Sequence, residues 1–168
     1  MIEYTVKVDV NGDRGWYLNG KVHREDGPAI ERADGSREWW VNGVPHREDG
    51  PALEMADGSR AWWVNGKRHR EDGPAIEHAN GFRSWYVNGK FHREDGPAIE
   101  WADGDRSWYL NGELHREDGP AVELANGVCE WYLNGTQLTE AEFNARQHPT
   151  CNGKVVEIDG KKYKLMEV

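Results

Sequence analysis

The sequence predicts an all-β protein that forms one elongated antiparallel sheet of successive β-hairpins. The first observation is the heptad HREDGPA, which occurs five times at a constant spacing of 23 residues. The second is an Asn-Gly or Asp-Gly pair, which recurs at two places outside the heptad in each period and favours tight hairpin turns. The third is that no part of the repeats has the apolar period of a helix. A fixed period of this length is typical of an array in which each unit packs on its neighbours.

Each unit begins with two aromatic residues and an aliphatic residue, which together suit a strand. Trp39, Trp40 and Val41 are one example, and the turn Asn42-Gly43 follows them. The heptad comes next, and its proline starts a second short strand at a position where no ladder donor is needed. A second turn, such as Ala56-Asp57-Gly58, closes the unit. We therefore predict two strands and two tight turns in each unit.

The second aromatic position of the unit is a candidate binding surface. Because side chains alternate along a strand, Trp39 and Val41 point to one face of the sheet and Trp40 points to the other. The first-column tryptophans and the third-column aliphatic residues would then form the core. The second column would form a separate aromatic ladder, either packed beneath turns or free to bind a partner. The members of this aromatic ladder are Tyr17, Trp40, Trp63, Tyr86, Tyr109 and Tyr132.

The heptad is interpreted as a structural joint between neighbouring units. Gly27 and Pro28 end a turn and start a strand, and Asp26 can accept backbone N–H bonds in that turn. Arg24 and Glu25 can pair with the neighbouring copies of themselves, which would make a ladder of charge-assisted bonds along the array. The joint residues of two copies are His23, Arg24, Glu25, Asp26, His69, Arg70, Glu71 and Asp72.

Specificity is expected at positions that vary between copies, although these side chains could also simply face water. The first variable column contains Lys21, Val44, Lys67, Lys90 and Glu113. The second contains Val22, Pro45, Arg68, Phe91 and Leu114. The third contains Arg32, Met55, His78, Trp101 and Leu124. The candidate binding residues among them are Lys67, Arg68, His78, Lys90, Phe91 and Trp101.

Charge and motifs argue against several classes of function. The net charge of −9 opposes binding to a nucleic-acid backbone or to anionic lipid, although it permits a basic protein partner or mimicry of DNA. One histidine per unit is too sparse for a tetrahedral metal site, and no phosphate-binding loop or nucleophile motif is present. We therefore predict no enzymatic activity, no catalytic residue, no metal and no cofactor. The absence of a signal peptide, a transmembrane segment and a disulfide framework indicates a cytoplasmic protein.

The sequence divides into three regions. Residues 1–15 are predicted to form a capping strand and half repeat, because apolar and polar side chains alternate along residues 2–10. Five full units and a partial sixth occupy residues 16–138. Residues 139–168 lack the heptad and are predicted to form a C-terminal cap.

The predicted C-terminal cap consists of a short helix and a hairpin. Thr139 and Glu142 form a capping-box pattern at the start of a helix expected near residues 140–147. Phe143 could dock this helix onto the last strands. Asp159-Gly160 then predicts a hairpin turn. The hairpin would either cover the sheet end or make a contact of its own.

One unit, WWVNGKRHREDGPAIEHANGFR at residues 62–83, resembles the MORN repeat family. That family has units of similar length with an aromatic residue, Asn-Gly-Lys, a histidine and a later Asp-Gly. The corresponding residues here are Trp63, Asn65-Gly66-Lys67, His69 and Asn80-Gly81. The resemblance spans residues 8–135, but the family has His-Gly-x-Gly where this chain has its heptad. The HREDGPA variant itself resembles repeats in uncharacterised proteins of tailed phages and large viruses.

The resemblance implies an elongated sheet of hairpins and a non-enzymatic binding role. MORN proteins act as interaction scaffolds or membrane-proximal scaffolds, and related bacterial repeats are labelled as antitoxins. The leading prediction is a phage-encoded repeat module that occludes a host defence protein or toxin in the cytoplasm of the infected bacterium. The first alternative is capture of a nucleotide or sugar stacked on the aromatic ladder. A membrane-proximal scaffold and a DNA mimic are the others, and a sheet edge could pair two copies as a homodimer.

Overall fold

The computed structural model describes residues 3–147, 155–158 and 160–164, and it confirms an all-β array with a short helix near its C-terminal end. A 14-stranded antiparallel sheet runs through all the units. Each inner unit contributes two strands of two residues to this long sheet. The strands of the long sheet are Thr5–Val8, Arg14–Leu18, Lys21–Val22, Ile30–Glu31, Arg37–Glu38, Leu53–Glu54, Arg60–Ala61, Ile76–Glu77, Arg83–Ser84, Ile99–Glu100, Arg106–Ser107, Val122–Glu123, Cys129–Leu133 and Thr136–Leu138.

The four inner units also contain a second hairpin, which forms a two-stranded ribbon beside the long sheet. The strand pairs of the ribbons are Trp40–Val41 with Val44–Pro45, Trp63–Val64 with Lys67–Arg68, Tyr86–Val87 with Lys90–Phe91, and Tyr109–Leu110 with Glu113–Leu114. Neighbouring ribbons are joined by backbone hydrogen bonds, such as the one from Gly66 N to Pro45 O at 2.9 Å. The expectation of two strands per unit is therefore wrong, because each inner unit has four short strands.

Two different turn geometries alternate along the chain, so the prediction of two tight turns per unit is confirmed. Both residues of the Asn-Gly turn have positive φ, 54° for Asn42 and 85° for Gly43, as a type I′ hairpin requires. At the other turn the glycine alone has positive φ, which is 93° for Gly35. Its N–H bonds Arg32 O at 3.0 Å, and the Arg32 N–H bonds Ser36 O at 2.9 Å. This is a type I turn followed by a glycine bulge.

The heptad is a loop inserted into the return strand of the hairpin. At the start of the loop, the His23 N–H bonds Trp16 O at 2.9 Å. At its end, the Trp16 N–H bonds Ala29 O, also at 2.9 Å. Residues 24–28 therefore leave the ladder opposite a single residue, as in a greatly enlarged β-bulge. The ribbon lies on one side of this loop, and the long sheet resumes on the other.

The alanines of the heptad, rather than the tryptophans, are fully buried in the array. These alanines have no accessible surface, and they are Ala29, Ala52, Ala75, Ala98 and Ala121. The predicted core of first-column tryptophans and third-column aliphatic residues needs correction, because both columns are half-buried. The Ala29 N–H bonds Glu38 O at 2.7 Å, and its carbonyl accepts the Trp16 N–H. Strands therefore hold the alanine from both sides, which leaves room for a methyl group only.

The predicted helix is present at Glu140–Gln147, and its capping box is confirmed. The Glu142 N–H bonds Thr139 Oγ1 at 3.2 Å, and the Thr139 N–H bonds Glu142 Oε2 at 2.8 Å. Phe143 is buried and docks the helix on the last strands. Within the described ranges, no helix has the length and apolar character needed to cross a bilayer.

The predicted C-terminal hairpin is also present. Val155–Ile158 pairs antiparallel with Lys161–Lys164. Gly160, in the connecting turn, has a φ of 73°. The other predicted turn residue, Asp159, lies outside the described residues.

Replacing Ala75 by valine should destabilise the protein by about 1 to 3 kcal/mol, because extra methyl groups must enter a site that has no spare volume. Ala79→Val is the matched control, since Ala79 is exposed in a turn. Urea denaturation followed by tryptophan fluorescence measures both free energies of unfolding. Equal effects of the two substitutions would contradict tight packing at the heptad alanine.

Candidate protein-binding surface

An arginine closes each heptad loop onto the tryptophan opposite it. The Arg70 guanidinium stacks on the Trp62 ring, 3.9 Å from the ring centre. Its Nε donates to Asp72 Oδ1 at 2.9 Å. Its Nη1 donates to Pro74 O at 3.1 Å and to Glu77 Oε1 at 3.2 Å. We call this arrangement the arginine clamp, and all of its contacts lie within one unit.

The prediction that Arg24 and Glu25 pair with the neighbouring copies of themselves is wrong. The Arg24 side chain donates to Asp26 Oδ1 at 2.9 Å and to Pro28 O at 3.2 Å, both in its own loop. Glu25 lies 3.5 Å from Nε2 of His23, again in the same loop. The physical reason is distance. The loop folds into a compact turn, whereas the equivalent loop of the next unit is about 10 Å away, two strand spacings along the sheet.

The histidine side chain, not the arginine side chain, reaches the neighbouring unit. His69 Nδ1 accepts the N–H of Asn88, the first residue of the next type I′ turn, at 3.2 Å. The same bond recurs at His23–Asn42, His46–Asn65, His92–Asn111 and His115–Asn134. An accepting Nδ1 leaves the imidazole proton on Nε2, which faces Glu71 Oε1 at 3.7 Å. A backbone bond from Arg70 N to Tyr86 O at 3.0 Å adds a second link between the units.

Successive heptad loops enclose a row of open grooves along the array, which we call the heptad grooves. One groove has a volume of about 800 Å³ and lies between residues 93–97 and 115–118. Trp108 and Leu110 line it between the two loops. Equivalent grooves of about 700 Å³ and 490 Å³ lie one unit and two units earlier.

The rims of the heptad grooves display carboxylates while the paired cations are covered. The side chains of Glu94 and Asp95 are 83% and 85% exposed. The Arg93 side chain, which bonds Asp95, is only 22% exposed because it lies against the Trp85 ring. A partner approaching this surface therefore meets negative charge over an aromatic and aliphatic base.

The arginine clamp keeps the aspartates of the heptads charged. The hydrogen bond from Arg70, together with its positive charge, holds the pKa of Asp72 below its ordinary value. The same two causes lower the pKa of the corresponding aspartates Asp26, Asp49, Asp95 and Asp118. The heptad aspartates therefore keep their charge further into acid than a free aspartate does.

The aromatic ladder lies on the other face of the strands and is partly packed. Tyr86 is only 6% exposed, and the other members are half-buried. Phe91 lies between Tyr86 and Tyr109, with ring centres 4.3 Å and 5.0 Å away. The Arg68 guanidinium lies 5.1 Å and 5.2 Å from the Trp63 and Tyr86 ring centres. Variable side chains thus fill the spaces between the rings, and the binding role of the ladder stays a prediction.

The six variable candidates fall into three different places. Arg68 and Phe91 pack into the aromatic ladder, whereas Lys67 and Lys90 are exposed beside the turns of the ribbons. His78 and Trp101 are exposed at the turn edge of the long sheet. Phe82, which the sequence analysis did not single out, has its ring centre 5.4 Å from that of His78 and 6.1 Å from that of Trp101. Its signal was available, since the equivalent positions hold serine, aspartate or valine.

Comparisons with known proteins do not assign the chain. No family model matches it, and no curated protein is significantly similar to it. Among the described residues, no group of three or more His, Cys, Asp and Glu side chains is placed to hold a metal ion. The chemistry of the surface is therefore the basis for inferring a function.

Removing the side chain of Arg70 should destabilise the protein by about 1.5 to 3 kcal/mol, because charged hydrogen bonds to the loop are lost together with the stacking on Trp62. Arg60→Ala, at an exposed strand position, is the control and should change the free energy of unfolding by less than about 0.5 kcal/mol. Denaturant titration measures both variants. An Arg70→Ala protein as stable as the parent would show that the loop holds its shape without the clamp.

The lowered aspartate pKa values predict a loss of stability in acid. A carboxyl group with a lower pKa in the folded protein stabilises fully above its unfolded-state pKa of about 4, and this stabilisation is lost as the pH falls through the folded-state value. The urea midpoint should therefore fall as the pH drops below about 4. Asp72→Asn should flatten this fall, and the triple variant Asp49→Asn/Asp72→Asn/Asp95→Asn should flatten it further. Identical pH profiles for all three proteins would rule out the clamp as the cause.

Proposed function

We propose that the chain is a non-enzymatic protein-binding module that holds an extended, basic segment of a partner protein along the heptad grooves. The observation that carries the proposal is the display of exposed carboxylates on both rims of a groove whose arginines are covered. Such a surface complements a basic segment and speeds its encounter with the array. The tryptophan and leucine at the base of the groove can contact the aliphatic stems of lysine or arginine.

The period of the array sets the expected period of the partner. Each unit adds two strands to the long sheet, so neighbouring grooves are about 10 Å apart. An extended peptide rises by about 3.3 Å per residue. A lysine or arginine at every third position would therefore place one cation in each successive groove.

A finer form of the proposal identifies the partner and the setting. In this form, a phage-encoded chain occludes a host defence protein or toxin in the cytoplasm of the infected bacterium. Its support is the resemblance of the repeat unit to MORN repeats and of the HREDGPA variant to phage repeats. Pairing of two copies through the first strand, Thr5–Val8, stays a prediction beside it; all four residues of that strand are exposed.

A synthetic peptide with lysine at every third position should bind the protein, and a peptide of the same composition with its lysines clustered should bind more weakly. Glu71→Gln/Glu94→Gln should weaken the first peptide by about tenfold at low salt, because both carboxylates line one groove. Isothermal titration at two salt concentrations measures these affinities.

The control is Glu113→Gln/Glu140→Gln, which removes the same charge from exposed positions outside the heptad grooves. Equal weakening by the two variants would show that net charge, rather than the grooves, attracts the peptide. A protein captured from bacterial lysate by the parent and the control, but not by Glu71→Gln/Glu94→Gln, would be a partner of the grooves. Binding of neither peptide would overturn the proposal.

A further inference from the structure

A cleft at the turn edge of the long sheet, separate from the heptad grooves, is lined by three aromatic rings. It has a volume of about 450 Å³ and lies between two neighbouring turns, one containing Asn80 and the other Asp103. The residues that line it are His78, Asn80, Phe82, Trp101, Ala102 and Asp103. We call it the aromatic cleft.

The rings of the aromatic cleft form a concave corner. Phe82 is fixed in place because it packs against the buried cluster of Ala75, Ile76 and Tyr86. The Trp101 ring stands at 67° to the Phe82 ring, with the ring centres 6.1 Å apart. Trp101 is 38% exposed, so part of its ring faces solvent. Phe82 therefore forms a fixed base and Trp101 forms an exposed side wall, and a ligand can reach both rings.

Phe82 interrupts a hydrogen bond that other units make at this position. Elsewhere the side chain accepts the N–H of an alanine in the next unit. These bonds are Asp13–Ala33 at 2.9 Å, Ser36–Ala56 at 3.0 Å, Ser59–Ala79 at 3.0 Å and Asp105–Ala125 at 2.7 Å. Phenylalanine cannot accept, so the Ala102 N–H has no side-chain acceptor among the described residues. Loss of a hydrogen bond that the other units make, at the unit that has exposed aromatic rings, is typical of a functional site.

The charges around the aromatic cleft favour a cation. Asp103 lines the cleft. None of the six lining residues is lysine or arginine. The faces of aromatic rings attract cations, most strongly when a carboxylate is near. The chain already uses this interaction, since an arginine stacks on the tryptophan of each clamp.

We propose that the aromatic cleft binds a methylated ammonium group. The methyl groups of this tetrahedral cation would pack against Phe82 and Trp101, and its charge would lie near Asp103. Choline-like small molecules and the trimethylated lysine of a protein share this chemistry. The site does not depend on the heptad grooves, because none of its lining residues belongs to a heptad.

Choline and its neutral isostere, in which carbon replaces the nitrogen, test the proposal by NMR of the Trp101 indole and the Ala102 amide. At about pH 8, above the ordinary titration range of imidazole, choline should bind about threefold to tenfold more tightly than the isostere. A trimethyllysine peptide distinguishes the sources. Affinity well above that of choline assigns the site to a methylated protein, and equal affinity assigns it to a small molecule.

Residues found at the equivalent positions of other units suggest two variants that test the proposal. Trp101→Leu introduces the residue that Leu124 holds at the equivalent position, and Phe82→Ser introduces the residue found at Ser36 and Ser59. Both should abolish the choline shifts. The thermal midpoint of Trp101→Leu should stay within a few degrees of the parent, whereas Phe82→Ser should lower it further because the packing of Phe82 on the buried cluster is lost. Equal binding of the neutral isostere would overturn the proposal, as would choline binding that survives Trp101→Leu. Peptide binding in the heptad grooves should be unchanged in both variants.

Discussion

The array depends on the arginine that folds back over each heptad loop. The loop takes residues out of the ladder, and their backbone groups need new partners. Arg70 supplies one by donating to Pro74 O, and it covers the Trp62 ring. Gly73 leaves the space for it, since a Cβ there would lie 2.9 Å from Arg70 Cζ. The arginine, aspartate and glycine of the heptad are thus fixed by one local geometry, and the alanine is fixed by the strands on both sides of it, which accounts for four of the seven recurring letters.

The turns and the helix could be predicted from the sequence because their causes are local. An Asn-Gly pair between two strands favours a type I′ turn, as Asn42-Gly43 shows. Thr139 caps a helix through a residue three positions away. The partners of Arg24 could not be predicted, because they depend on how the loop folds back on itself. The same is true of Phe91, which sits in the ribbon opposite Tyr86 and fills a space that alternation alone does not reveal. The acidic surface could not be predicted for a related reason. Its residues belong to the heptad, in which the arginine side chain is covered while the glutamate and aspartate side chains are exposed.

The two faces of the array differ in how much they repeat. The face with the heptad loops presents the same groove in successive units, which suits a partner that is itself periodic. The second and third variable columns lie on the other face, where the packing differs from unit to unit: Arg68 lies between two rings, Phe91 packs between two rings in the next unit, and Phe82 packs against Trp101 at the edge. Such variation suits a ligand that occupies one place only. Repetition and variation are therefore separated by the alternation of side chains along the same short strands.

The closure of each arginine clamp within its own unit has a consequence for how such a chain can change length. The links that recur at each internal boundary are strand pairing, backbone bonds and the histidine–asparagine contact. Other links, such as Arg68 with Tyr86, belong to one boundary only. Duplication or loss of one 23-residue segment would therefore keep the recurring links at every remaining boundary. The number of grooves would change while each groove stayed the same. For a partner that engages several grooves at once, tandem duplication in the gene would alter avidity in steps, with no new side chain required.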